Sequence, residues 1–187
     1  CLVGRGSDEA IDLLVRAFCR AGTDSVVICP PTFGFYKVAA RIQGADVIEV
    51  PLLDAGFALD TNAVIDAGRR ARIVFLCSPN NPTGAMLSKA DVESFIASVP
   101  EQVLVVLDEA YREFTPTQER PDTQKLLQRH GNLLVLRTFS KVYGLGGLRV
   151  GYGLGSPELI SHLKRLQLPF SVGVPAQSAA IAALGDN

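Results

Sequence analysis

The chain of 187 residues has no tryptophan, one methionine, two histidines and four cysteines. His130 and His162 stand alone, and Cys1, Cys19, Cys29 and Cys77 contain no C-x-x-C pair, so a zinc site is excluded. The apolar flanks of Cys19, Cys29 and Cys77 read as small buried thiols of a reducing compartment. No apolar run approaches the roughly 18 residues that span a bilayer, and no basic-then-apolar leader opens the chain. Neither membrane insertion nor secretion is expected, and a cytoplasmic location is. Eighteen basic against 19 acidic side chains leave a net charge of -1 with no Lys/Arg block, which argues against a nucleic-acid surface. Also missing are the G-x-x-x-x-G-K-[ST] cradle of P-loop enzymes and the third glycine that a dinucleotide fingerprint would need after Gly4-Arg5-Gly6.

What is present is a chain that is 48% apolar and 20% charged, the composition of one globular domain with a real core. Short runs rich in Val, Ile and Leu predict strands at residues 2–4, 25–29, 47–50, 72–77, 103–107, 133–137 and 150–154. Several, such as Val103-Leu104-Val105-Val106-Leu107, are apolar on both faces, as a sheet covered by helices on both sides requires. Between them lie amphipathic stretches. Ile11, Leu14, Val15 and Phe18 recur at helical spacing after Ser7, read as an N-cap, and Val92, Phe95 and Ile96 do so after Ser88. The alternation predicts an α/β domain with a doubly wound, mostly parallel seven-stranded sheet. Ligands of such sheets bind beyond the carboxyl ends of the strands.

The residues that follow each strand therefore carry the chemistry. Gly4-Arg5-Gly6-Ser7-Asp8-Glu9 opens a helix whose free N–H groups could take a phosphate, although on this segment alone a plain cap by Ser7 with acids on the helix dipole is the better reading. In Pro30-Pro31-Thr32-Phe33-Gly34, Phe33 is either a core residue or an aromatic stacked on a flat ligand. Ser78-Pro79-Asn80-Asn81-Pro82-Thr83-Gly84 is by default a turn, yet it fixes two amides at the ligand edge. Asp108-Glu109-Ala110-Tyr111 ends the most apolar strand, where the Asp108 carboxylate needs a cap, an ion pair or a cationic ligand. Thr138-Phe139-Ser140-Lys141 follows residues 133–137 and leads through Gly144, Gly146 and Gly147 to Arg149. Of the five lysines, Lys37, Lys89, Lys125 and Lys164 lie in or beside helical segments, where a solvated surface role fits. Lys141 alone follows a buried strand, where partial desolvation beside cations would free its amine for a Schiff base. An amine for an imine, an acid for a ring nitrogen, an amide and a phenol for a ring oxygen, and hydroxyls, an arginine and a helix start for phosphate are together what pyridoxal phosphate demands.

On these residues the sequence resembles the fold-type-I aminotransferases, over essentially its whole length. The marks are Gly6-Ser7-Asp8-Glu9, Cys29-Pro30-Pro31-Thr32-Phe33-Gly34, Asn80-Asn81-Pro82-Thr83-Gly84, Asp108-Glu109-Ala110-Tyr111, and Ser140-Lys141 with Arg149 eight residues on. Arg16-Ala17-Phe18-Cys19 and Val174-Pro175-Ala176-Gln177-Ser178 are similar to segments of the members that use histidinol phosphate. The resemblance implies that residues 1–187 are a pyridoxal phosphate-binding large domain. It implies that Lys141 forms the imine and acts as general base and acid, with Asp108 and Tyr111 completing the catalytic set. Asp108 would pair with the protonated ring nitrogen, and Asn81 and Tyr111 would bond the ring oxygen. Phe33 would stack where the family often has Tyr, keeping the stacking and losing any phenol contact. Ser7, Asp8, Thr138, Ser140 and Arg149 would hold the phosphate.

Histidinol phosphate and 2-oxoglutarate are the small-molecule partners so implied, in a homodimer whose N-terminal tyrosine completes the neighbouring site. The chain is expected to be a piece of a longer protein, without the N-terminal arm and the C-terminal small domain that clamps substrate, and to turn over poorly alone. A phosphothreonine-type decarboxylase, an aromatic aminotransferase and a ligand-sensing domain of a regulator would share the same cofactor residues.

Overall fold

A computed structural model of the chain describes residues 1–186. Seven strands, β1 (Leu2–Gly4), β2 (Ser25–Ile28), β3 (Asp46–Glu49), β4 (Ile73–Cys77), β5 (Leu104–Asp108), β6 (Leu133–Thr138) and β7 (Gly151–Gly155), form one sheet in the order β1-β7-β6-β5-β4-β2-β3. The strands from β3 to β6 across the sheet are parallel, and β7 runs antiparallel to both β6 and β1. The predicted doubly wound, mostly parallel sheet is present, and each strand lies within about a residue of its expected place. The helices are α1 (Gly6–Phe18), α2 (Phe35–Gln43), α3 (Thr61–Gly68), α4 (Lys89–Ser98), α5 (Thr123–Arg129), α6 (Pro157–Lys164) and α7 (Val174–Gly185).

The apolar strands bury both faces. Leu104 and Val106 of β5 face one core with Ile11 and Leu14 of α1, Tyr36 and Ala40 of α2 and Leu163 of α6. Val105 and Leu107 face the other with Val64 of α3, Phe95 and Ile96 of α4 and Leu126 of α5. A smaller cluster sets α7, through Ala176 and Ala180, against Phe139 and Val150.

One capping expectation is corrected. Ser88 does cap α4, its hydroxyl accepting the Asp91 N–H at 3.1 Å. Helix α1, however, begins at Gly6, with Arg5 at the cap position and Ser7 inside the first turn. There the Glu9 carboxylate accepts the Arg5 N–H at 2.7 Å, so the acid pairs the amide of the cap residue itself and the first turn keeps no side-chain cap. Gly6 makes the turn from β1 possible, because its φ of +73° is left-handed.

The reversed strand β7 brings its starting end to the edge where the parallel strands finish, with Gly151 level with Thr138 of β6 and Gly4 of β1. The approach is tight: a Cβ on Gly151 would lie 2.4 Å from the Ser7 nitrogen. Gly151→Ala must therefore push α1 from the sheet and should destabilise the protein by about 1–3 kcal/mol. Gly147→Ala, whose Cβ would meet nothing within 4 Å, should be nearly neutral. Thermal denaturation of the two variants side by side checks this, and equal midpoints would mean that the helix is not seated on β7 as described.

Candidate active site

A cleft of about 210 Å³ opens where β4, β5 and β6 end and β7 begins, lined by Ser7, Asp8, Phe33, Cys77, Asn81, Asp108, Ala110, Tyr111, Thr138, Ser140, Lys141 and Arg149. Every residue assigned a cofactor or catalytic role from the sequence lines it, whereas Asn80, the other amide expected at this edge, does not. Cys77 and Ala110 are additions. Cys77 ends β4 in register with Asp108, and burial pushes its thiol up to about 12, so it remains a protonated, inert group.

Asp108 is the last residue of β5 and is buried. The expectation that a buried carboxylate needs a cation is met differently within the chain: no ion pair among the described residues involves Asp108, and its donors are neutral. The Tyr36 hydroxyl donates to Oδ2 at 2.6 Å and the Ala110 N–H donates to Oδ1 at 3.0 Å. Burial drives the Asp108 carboxyl up to about 6, against the pull of the Tyr36 and Ala110 donors and with a smaller push from Asp8 and Glu109. Its neighbour Glu109 is treated in the opposite way. Buried as deeply, it takes Arg137 at 2.9 Å and Arg112 at 3.1 Å, and Arg137 also donates to the Thr123 hydroxyl.

The adjacent amides divide the labour of their loop. Asn80 is buried and structural: its carbonyl accepts the Thr32 hydroxyl at 2.8 Å, and its Nδ2 donates to the Pro31 carbonyl and the Thr83 hydroxyl, each at 2.9 Å. Asn81 is left to face the cleft. Phe33 answers to both of its readings, since it packs edge-on against Tyr36 at 5.4 Å and also lines the cleft.

At the other end of the cleft Arg149 sits in a left-handed conformation, φ 54°. Its guanidinium donates to the Asp8 carboxylate at 2.8 Å, the Gly146 carbonyl at 2.9 Å and the Ser140 hydroxyl at 3.3 Å. The Thr138 hydroxyl lies 3.0 Å from that of Ser140 and accepts its N–H. With the unpaired amides of the first turn of α1, this is a cradle for a dianion. Lys141 departs from the desolvated lysine anticipated: it is exposed, with its Nζ over the Tyr111 ring, 4.9 Å from the centroid. Sequence reasoning missed Tyr36, which stands just beyond the Pro30–Gly34 turn and carried no signal of its own.

The family described as aminotransferase class I and II matches residues 1–187, and the chain belongs to it. Its relatives narrow the comparison. The histidinol-phosphate aminotransferase of Stenotrophomonas maltophilia is 49% identical, over 98% of this chain and 50% of the relative. That of Halalkalibacterium halodurans is 47% identical, over 100% of this chain and 50% of the relative. Among solved structures, the histidinol-phosphate aminotransferase from Sinorhizobium meliloti in complex with pyridoxal-5'-phosphate superposes with a TM-score of 0.93 at 33% identity, covering 99% of this chain and 50% of that one. The chain thus spans about half the length of the curated relatives it matches.

The environment of Asp108 has a thermodynamic consequence. Its carboxyl binds a proton more readily folded than unfolded, where the value is 3.8, so its contribution to stability falls as pH rises from about 4 to about 6 and the full cost is present above that. Asp108→Asn removes the charge and should stabilise the cofactor-free protein by about 2 kcal/mol at neutral pH, with little effect below pH 4. Urea denaturation at the two pH values measures it. A neutral-pH loss of stability would show that Asp108 is structurally satisfied as an anion.

Proposed function

We propose that this chain is the cofactor-binding large domain of a histidinol-phosphate aminotransferase, which exchanges an amino group between histidinol phosphate and 2-oxoglutarate using pyridoxal phosphate. The observation that carries the reading is a buried carboxylate without a cation of its own, facing the cleft that also holds Lys141 and the Arg149 cradle. A protonated ring nitrogen supplies the missing cation, and a phosphate fills the cradle. When bound, pyridoxal phosphate supplies an electron-withdrawing ring and a carbon that accepts the amino group.

The residues of the chain do the rest. Asp108 would keep a proton on the ring nitrogen. Asn81 and Tyr111 would donate to the ring oxygen, and Phe33 would cover one face. Arg149, Thr138, Ser140 and the first-turn amides of Ser7 and Asp8 would hold the phosphate. Lys141 would hold the cofactor through Nζ and, as base and acid, would move a proton at the substrate carbon. The names of the relatives support the substrate assignment.

A homodimer and a cytoplasmic location go with this reading. Val174, Ile181 and Leu184 of α7 are 74%, 72% and 60% exposed and border an apolar groove with Phe170, which supports burial against a further protein surface. Among the described residues no helix is long and apolar enough to cross a membrane.

Two measurements test the reading. Reduction with borohydride in the presence of pyridoxal phosphate should label Lys141, and Lys141→Ala should abolish the adduct while changes at Lys37, Lys89, Lys125 or Lys164 leave it intact. A label on another lysine would overturn the assignment. In protein made from the whole reading frame, Lys141→Ala should lower transamination of histidinol phosphate with 2-oxoglutarate by at least about 100-fold. Absence of that reaction in the unmodified protein, with decarboxylation of phosphothreonine instead, would replace the substrate assignment and leave the cofactor site standing.

A further inference from the structure

We propose that Tyr36 is a positioning residue of the active site, whose hydroxyl fixes the Asp108 carboxylate toward the cleft and keeps it ionised for the cofactor nitrogen. The role of Asp108 in this statement rests on the proposed function. The contact itself does not.

Tyr36 lies in the first turn of α2, on the layer above the sheet, and is fully buried. Its ring is stacked on Phe75 of β4, with centroids 4.6 Å apart and planes 10° from parallel, and the Phe33 ring meets it edge-on. Packed on two sides, the phenol points its hydroxyl to the end of β4 and β5, where it donates to Asp108 Oδ2 at 2.6 Å with the Cys77 thiol beside it. The other oxygen, Oδ1, is held by the Ala110 N–H. Two donors fix the plane of the carboxylate, and each oxygen keeps a lone pair for a ligand. Neither donor carries a charge, so neither competes with a cationic ring nitrogen as an arginine would.

The titratable groups around Asp108 place the burden of ionisation on Tyr36. From β4, the Cys77 thiol stays protonated. From α1, Asp8 repels, and so does Glu109, next in the chain just past the end of β5. The facing residue of β6 is Leu136. Lys141, Arg149 and Tyr111 line the same cleft, and none of them has a hydrogen bond to Asp108 among the described residues. Burial favours the protonated acid, and the Tyr36 hydroxyl is the foremost of the groups opposing it. A hydrogen bond to a buried charged group is worth about one to two pH units in the protonation midpoint.

The test reads that midpoint directly in cofactor-free protein, from the infrared carboxyl band that Asp108→Asn removes. Tyr36→Phe keeps the ring packing and should raise the midpoint by about one unit or more. Placing 3-fluorotyrosine at position 36 makes a stronger donor of nearly the same size and should lower it, which serves if the phenylalanine variant fails to fold. Tyr36→Phe should also weaken pyridoxal phosphate binding at pH 7 by roughly two- to tenfold for a rise of one to two units, a loss that lessens as pH rises and Asp108 ionises. A midpoint unmoved by either replacement in folded protein would make Tyr36 a packing residue only and overturn the proposal. Failure of the unmodified protein to bind pyridoxal phosphate would instead remove the proposed function, while a shifted midpoint would still establish the Tyr36–Asp108 contact.

Discussion

The structure is organised around one costly placement, a carboxylate buried at the end of the central strand without a cation from its own chain. In water Asp108 would be ionised and solvated. At the end of β5, between Cys77 and Leu136, it has protein on both flanks and a cleft ahead. A charge there persists only if donors are held in place around it. That requirement reaches outward through the fold. The Ala110 donor needs the chain to turn immediately after the strand, and the Tyr36 donor needs α2 to dock with its first turn over β4. Tyr36, Phe75 and Phe33 therefore pack for the site as much as for the core.

The neighbouring acid shows what the alternative looks like. Glu109 is just as buried, but its two arginines and the link from Arg137 to Thr123 close it off on the side away from the cleft. Burial raises its carboxyl while Arg137 and Arg112 oppose that rise. Two consecutive acids thus acquire different work from their partners alone: one ties β5 to β6, and the other is left for a ligand. Since Arg137 precedes Thr138 in the strand that delivers Ser140 and Lys141, the Glu109–Arg137 pair also holds the strand ends carrying the acid and the amine at a fixed separation.

Much of this was legible in the sequence because its signals are local. Val103-Leu104-Val105-Val106-Leu107 can hardly be anything but a strand buried on both faces, and the turns after β2, β4 and β6 advertise themselves with proline, asparagine or glycine. A strand end also tells where a following side chain goes, which is why Asn81, Asp108, Tyr111 and Lys141 could be placed at one edge. What was illegible depends on pairings distant in sequence. The sheet order is not written in any one strand, so Arg149 could be assigned by resemblance but not by derivation: it reaches the cleft only because β7 runs backwards. The cap of α1 falls at Arg5 and not at Ser7, the favoured residue type, because the helix starts two residues earlier, at Gly6. Tyr36 gave no sign because it lies outside the turns that mark the strand ends, and only the fold reveals that its hydroxyl meets a carboxylate 72 residues away.

The cleft itself is asymmetric. Its floor is rigid: Asp108 is held by two donors, Thr138 and Ser140 by each other, and Arg149 by Asp8 across 141 residues of sequence. The side bearing Lys141 is open, with one aromatic ring against the amine. Asn81 and Tyr111, which line the cleft, also line a second cavity of about 440 Å³ bounded by Met86, Phe114 and Pro116. Rigidity on the floor suits groups that hold a fixed ring, because a misplaced acid or phosphate contact would lose its effect within a fraction of an ångström. Openness beside Lys141 fits the role proposed for it, in which the amine reaches two different atoms in turn and a substrate comes and goes. Burial falls on the groups that stay still in that proposal, and solvent surrounds the one that would move.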